Sequence, residues 1–506
     1  MDKILKNSLA LFSGYGVLMI AHGFQGNLLG VRSVIEEFNF IATGAMMSGY
    51  FVGYFIGANT IPTMVSKVGH IRVFAAFASM ASLSILIHAV FVNPIVWTLG
   101  RFLTGYSIVA IFIVMESWLN DRATNRTRGQ LLSIYMFLTF TSLAVGPLLL
   151  NFSSPDKYEP FILVSLLLSL ALVPILLTKR KAPKFKKLGY LKIKDLYKIS
   201  PLGSISMLCN GFIHSALFTL LAVYAALMNF TIFEISLLIF LIVFAGGLFQ
   251  LPIGYFSDRT DRRIIIIFCT FFSSVFAALL IIASGMSLEN MYLATSVGVD
   301  KIMFFTYAVL YGGMALPIFS LTLAYVNDYI PKEKFVAAGA GMQLIFGVGA
   351  MIGPIFCSIL MTKFGTNGFF VHLLSFHLII GFFGMLLYQL YLSISSKKSI
   401  KTSKKLNFKG YLSYLNIAVT IFIGAFFVYY YNKSASKDEL FEVRLPQIIE
   451  AFENNEYSKV YDQISTLKNN NVSNPIIDNY FNKVTTEVDI NTTPGGYEVY
   501  LDLLND

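Results

Sequence analysis

The stretch Gly254-Tyr-Phe-Ser-Asp-Arg-Thr-Asp-Arg-Arg263 separates two apolar runs, each long enough to cross a bilayer. So short a turn forces the two flanking helices to run antiparallel. Asp258 then falls at the C-terminal end of the incoming helix, where the helix dipole disfavours an anion. It needs a cationic partner, and Arg259, Arg262 and Arg263 are at hand. Such an ion cluster at a membrane surface can form in one conformation and break in another, which makes it a latch.

The chain around this turn is that of a polytopic membrane protein. Of its 506 residues 56% are hydrophobic and only 13% are charged, about half the share of a soluble protein. The net charge of +10 lies in short loops between apolar runs, so it sets topology and does not point to nucleic acid. Cys209, Cys269 and Cys357 all fall inside apolar runs, and no disulfide or metal framework is expected. The N-terminus leads straight into a full-length span, which reads as a first helix and not a signal peptide.

Twelve core spans are predicted, at 8–30, 41–64, 71–91, 94–119, 129–151, 159–177, 202–228, 233–256, 264–284, 299–325, 337–361 and 368–395, with a thirteenth at 411–431. Residues 179–198 carry nine Lys or Arg against one acid, and 397–409 carry six lysines. Positive loops stay cytoplasmic, which puts the N-terminus, the central linker and the end of span twelve inside. The two groups of six spans form a repeat. Adding 207 to Gly105, Asn120, Asp121, Gly146 and Pro147 gives Gly312, Asn327, Asp328, Gly353 and Pro354, and adding 188 to Gly23-Phe24 gives Gly211-Phe212.

The expected domains are a six-helix bundle over 1–178, a basic cytoplasmic linker over 179–201, and a second bundle over 202–396. A basic segment at 397–410, an extra transmembrane helix at 411–431 and an extracytoplasmic helical domain at 432–506 follow. In that last domain, Phe441, Leu445, Ile448, Ile449 and Phe452 fit one helix face, and Tyr457, Val460, Tyr461, Ile464 and Leu467 fit another. Pro475 is placed to start a third helix.

The turn at 254–263 resembles the signature loop of the major facilitator superfamily of transporters. Val68-Gly-His-Ile-Arg-Val-Phe74 and Met115-Glu-Ser-Trp-Leu-Asn120 resemble its YcaD-like bacterial subfamily. The resemblance covers about residues 8–395. It implies two six-helix halves, a substrate site near mid-membrane between them, transport by alternating access in the plasma membrane, and coupling to protons. The first half's counterpart of the signature loop, Pro62 to Arg72, is degraded: Ser66 stands where the superfamily usually has Asp, and Lys67 where it has Arg.

Individual residues divide between packing and function. Gly49, Gly53 and Gly57 recur every fourth position on span two, and Gly246 and Gly254 lie on span eight with Gln250 at the position between them, which suits close helix approach. Glu116 lies about 33 Å along its span from Pro94 and is expected to form an ion pair near Lys67 and Arg72 at the cytoplasmic surface. Arg101, about 10 Å from the outer end, either faces the cavity or snorkels outward. His22 and Gln25 sit one turn apart on span one, and Asn210 and His214 one turn apart on span seven. The histidines lie about 20 Å and 18 Å from the inner face, and serve either interhelical hydrogen bonding or substrate and proton chemistry. Tyr307 and Tyr311 share a face of span ten, as hydroxyl donors or as packing.

No Asp or Glu falls near the middle of any core span, which disfavours a cation exporter of the kind that relies on a buried carboxylate. The expected activity is secondary active transport of a small anionic, zwitterionic or neutral organic solute. The alternative is a membrane sensor or assembly scaffold whose outer helical domain binds a protein partner. No nucleophile–base pair, metal-ligand spacing or cofactor motif points to an enzyme.

Overall fold

The computed structural model of the chain describes residues 2–122, 128–176, 191–290, 299–398, 444–452, 454 and 457–469. The thirteenth span, most of the basic linker and the third helix expected after Pro475 lie outside the described residues. No strand occurs among those described. The chain divides into two compact units, Met1–Thr402 and Ser403–Asp506.

In the first unit every expected core span is occupied by helix. These are α1 (Asp2–Ile35), α2 (Phe40–Val68), α3 (His70–Val90), α4 (Pro94–Arg122), α5 (Arg128–Val145) and α6 (Glu159–Leu176). After a short α7 (Ile193–Ile199) come α8 (Pro201–Leu227), α9 (Ile232–Ser257), α10 (Arg262–Asn290), α11 (Val299–Ala315), α12 (Pro317–Asn327), α13 (Phe335–Phe364) and α14 (Gly368–Lys398). Among the described residues nine stretches are long and apolar enough to cross a membrane; one of them, Ala337–Tyr391, contains both α13 and α14.

Local chemistry sets the boundaries. Asn39 caps α2 through the Ala42 amide, and Thr231 with Glu234 forms a capping box on α9. Pro317 splits the tenth span into α11 and α12, because its ring removes a backbone donor inside the span. Pro147 has the same effect on the fifth: α5 ends at Val145 and continues as a tighter 3₁₀ turn over Gly146–Phe152.

The repeat seen in the sequence is a repeat of contacts. A Cβ on Gly105 of α4 would meet the Tyr50 carbonyl of α2, and one on Gly312 of α11 would meet the Ile242 carbonyl of α9. Gly146 lies against the backbone of α1 at Ile20, Gly23 and Phe24, and Gly353 against that of α8 at Phe212. With no hydrophobic drive between helices in lipid, such backbone-to-backbone approach supplies the dispersion contact that holds a bundle together. The glycines of span two follow suit, with Gly49, Gly53 and Gly57 against Thr98, Phe102 and Val109 of α4.

The halves touch on the face where α1 turns into α2, residues 36–39. There Gly30 of α1 packs on Thr219, Ala222 and Val223 of α8, and Gly44 of α2 on Pro354 and Ser358 of α13. Asn151 donates to Ser236 Oγ at 2.8 Å. The opposite face carries the 254–263 turn. Part of the linker is docked on that side of the second half: the Leu191 amide donates to the Ala337 carbonyl, and Leu196 of α7 is buried with Met207, Val326 and Met342.

The second unit holds α15 (444–452) and α16 (Tyr457–Asn469). On α15 Ile448 is buried, Leu445, Ile449 and Phe452 of the expected face are half-buried, and Ala451 outside it is buried; on α16 Val460, Ile464 and Leu467 are buried and Tyr461 is exposed.

Candidate functional site

A cavity of about 180 Å³ lies between the two halves. The first half contributes His22, Gly23, Gly26 and Asn27 of α1, Tyr50 and Phe51 of α2, Arg101 of α4 and Leu143 of α5. The second contributes His214, Ser215, Phe218 and Thr219 of α8, Ile239 and Val243 of α9 and Phe346 of α13. Seven of these fifteen residues carry a polar side-chain group, and the rest of the wall is glycine, aromatic or aliphatic.

Arg101 dominates this space. It is only 1% exposed, so it does not snorkel. Its guanidinium sits over the Tyr50 ring, 4.7 Å from the centroid. Among the described residues no carboxylate pairs with it, and its Nε and Nη1 are buried without a hydrogen-bond partner. Tyr50 also stacks on His22, with ring centroids 5.3 Å apart, and its hydroxyl lies 3.2 Å from His22 Nε2. That leaves His22 Nδ1 unpartnered, and across the cavity His214 Nε2 is unpartnered as well. Four buried nitrogens on three residues around one cavity thus have no partner within the protein.

The other expected site residues lie elsewhere. Gln25 is buried between helices and donates to Thr104 Oγ1 at 3.1 Å, tying α1 to α4. Asn210 donates to the Ser206 carbonyl of its own helix. Tyr311 shares a 3.1 Å hydrogen bond with His377 Nε2 of α14, inside the second half. Tyr307 is half-buried on α11 and does not line the cavity. Tyr50 is the residue that sequence reasoning missed. It sits on the glycine stripe of span two, whose small-residue spacing reads as packing and hides an aromatic that turns toward the other helices.

The expected pairing of Glu116 with Lys67 and Arg72 is not among the ion pairs formed; Lys67 and Arg72 are exposed, and Glu116 lies beside Tyr135 of α5. The reason is helical phase. Ser117 is bonded to His70 of α3 at 2.8 Å, so the adjacent position 116, about 100° round the helix, looks away from α3 and toward Tyr15, Tyr54 and Tyr135.

At the 254–263 turn the ion cluster is real, with a different membership. Asp258 caps α9 and pairs with Arg262 at 2.9 Å, and Asp328, after α12, holds the same guanidinium at 2.8 Å. Arg263 instead binds Asp261 at 2.6 Å and lies 3.9 Å from the Tyr391 ring centroid. Arg259 folds back over Tyr255, at 3.4 Å. Burial raises the Asp261 carboxyl, but the hydrogen bonds and charge of Arg263 outweigh it and hold the group below the usual carboxylate range. A Cβ on Gly254 would meet nothing within 4 Å, so packing does not require glycine there. Ser66, in the degraded loop, only returns a hydrogen bond to Thr63 of its own helix.

Comparison with known proteins agrees with this architecture. The uncharacterised MFS-type transporter YcaD of Escherichia coli is 24% identical over 374 residues, covering 72% of this chain and 92% of its own. YcaD of Escherichia fergusonii is 21% identical over 369 residues, with the same coverage. Among solved structures, a variant of the nucleoside transporter NupG superposes with a TM-score of 0.63 at 12% identity, over 76% of this chain and 100% of its own. A bacterial homologue of the human lysosomal transporter Spinster, inward-facing and occupied, gives 0.55 at 13% identity over 79% and 98%. The model of the Major Facilitator Superfamily matches residues 11–299 and 203–452. With two repeated six-helix halves around a shared cavity, this chain belongs to the Major Facilitator Superfamily, as a YcaD-like, multi-pass transmembrane transporter.

Proposed function

We propose that the protein carries a small organic anion, or a zwitterion bearing a carboxylate, through the cavity between its halves by alternating access, with protons as the coupling ion. The observation that carries this reading is Arg101, a buried guanidinium beside the cavity with two free donors and no acidic partner among the described residues. Arginine stays charged when desolvated, and its planar fork matches a carboxylate in two hydrogen bonds. The substrate's own negative group completes the site. His22 and His214 add contacts from each half, so a ligand touching all three binds both halves at once. Phe51, Phe218 and Phe346 favour an apolar body behind the acidic head. No such reading suits a hydrophobic cation.

With the N-terminus inside, as the basic loops argue, the 36–39 face is the outer one. The same argument places the domain after 432 outside, available to a protein partner. Fusions of alkaline phosphatase and of green fluorescent protein at the C-terminus read this topology directly; an inactive phosphatase with bright fluorescence removes the thirteenth span.

The functional test compares metabolites inside and outside cells with and without the protein, followed by uptake of the responding compound into proteoliposomes. Carboxylates should respond, Arg101→Lys should impair their transport and Arg101→Gln nearly abolish it. A hydrophobic cation as substrate, or full transport by Arg101→Gln, overturns the proposal.

A further inference from the structure

His88 plays no part in the site above. It lies two residues before the end of α3 and is fully buried. Both ring nitrogens face backbone carbonyl oxygens: Nδ1 is 2.6 Å from that of Ser84, and Nε2 is 3.2 Å from that of Trp97. A carbonyl oxygen only accepts hydrogen bonds, and a neutral imidazole has one N–H to give. A neutral His88 that donates to Ser84 therefore sets a bare nitrogen lone pair against the Trp97 oxygen. Only the doubly protonated ring donates to both.

The surroundings define what opposes that second proton. On its own helix the ring meets Ser84, whose hydroxyl is engaged with Thr104. From α4 it meets the Trp97 ring at 5.6 Å and the bare backbone of Gly100, and the charged neighbour there is Arg101. From α6, serines 165 and 169 reach α3 through Ser82 and bring no charge. Among the described residues no carboxylate faces His88. Two cations on α3 and α4, both removed from water, repel each other with little screening.

We propose that His88 is a proton-binding site coupled through space to Arg101, so that proton and anion favour each other's binding. The proposal rests on the anion reading of the cavity. An anion on Arg101 cancels the field that opposes the His88 proton, and the Trp97 carbonyl then receives its hydrogen bond. By linkage, the proton strengthens anion binding by the same factor. The bound pair carries no added net charge, and the substrate moves with its proton.

The test is nitrogen NMR of the full chain in lipid nanodiscs with [15N]histidine, which separates neutral from doubly protonated rings. The chain has six histidines, and His88→Gln identifies the resonance by its loss. Three samples are titrated from pH 4.5 to 9: wild type, Arg101→Met, and wild type with benzoate, a carboxylate with an apolar body. His88 should gain the two-proton signature in wild type, at a midpoint about one pH unit or more higher in Arg101→Met, a tenfold gain in proton affinity. Arg101→Lys, which keeps the charge, should stay near wild type. Benzoate should raise the wild-type midpoint and leave that of Arg101→Met alone. A wild-type His88 that stays neutral throughout overturns the proposal, whether or not the variants fold; so does a midpoint unchanged by loss of the Arg101 charge. A midpoint that rises in Arg101→Met but ignores benzoate keeps the proton site and its link to Arg101, and sinks the anion reading.

Discussion

Replacing Arg101 by Met should make the protein more stable while removing its transport. The guanidinium is 1% exposed and leaves Nε and Nη1 without partners. Each unsatisfied buried donor costs about 1–3 kcal/mol. The cation–π contact over Tyr50, at 4.7 Å, returns at most about 2 kcal/mol in a desolvated setting. Methionine keeps an unbranched, flexible stem and most of the apolar contact, so the net gain is about 2 kcal/mol. Across a helical unit of this size that raises Tm by ~2–3 °C. The assay is thermal unfolding of the purified protein in one detergent, wild type against variant, with and without transported carboxylate. At a hundred times Kd the ligand should add about 2.7 kcal/mol to wild type and nothing to the variant. Such a trade of stability for function is what an unpaired binding charge entails. A variant destabilised by about 1 kcal/mol or more would refute the reasoning, because the guanidinium would then be satisfied within the fold and would not be waiting for a ligand.

Asp258→Asn should leave folding intact and slow the transport cycle, since Asp328 still holds Arg262; the Asp258 side chain is 68% exposed, so its pair is worth about 1 kcal/mol or less. The double change with Asp328→Asn should slow transport more than either alone, and Ser66→Ala should leave flux unchanged; equal flux in the wild type, both single variants and the double variant would make the cluster decoration. Asp261 has a depressed carboxyl, so its contribution to stability is full above about pH 4, its unfolded range, and is lost as pH falls toward the lower folded value. Melting curves of Asp261→Asn should therefore lack that part of the wild type's acid sensitivity, and identical pH profiles would contradict the pairing with Arg263. Gly105→Ala should destabilise by about 1–3 kcal/mol, because the added methyl meets the Tyr50 carbonyl of α2 and parts α2 from α4; an unchanged Tm would mean that the helices separate freely there.

The sequence by itself determined the helices, their grouping and the family. Apolar runs of spanning length leave the backbone no option but helix in lipid, and two of the five identities at an offset of 207 are glycines where helices touch. The short turn at 254–263 was legible as an ion cluster, because Asp258 at a helix C-terminus needs a cation wherever it points. Which cation was not legible: Arg259, Arg262 and Arg263 are equivalent in the sequence, and only the approach of Asp328 from α12 selects Arg262. Periodicity could not say which way Arg101 faces either, and packing settles that it lies within. Glu116 was misplaced because distance along a helix fixes depth but not azimuth; the bond from neighbouring Ser117 to His70 of α3 leaves it turned toward the tyrosines. Tyr50 and His88 carried no signal at all. Their meaning arises from Arg101, which is 51 and 13 positions away in the chain (101 − 50 and 101 − 88) and beside them only once α2, α3 and α4 have packed. Charge, hydropathy and spacing are properties of a segment, whereas a site's electrostatics belong to groups that only tertiary contact brings out of water together.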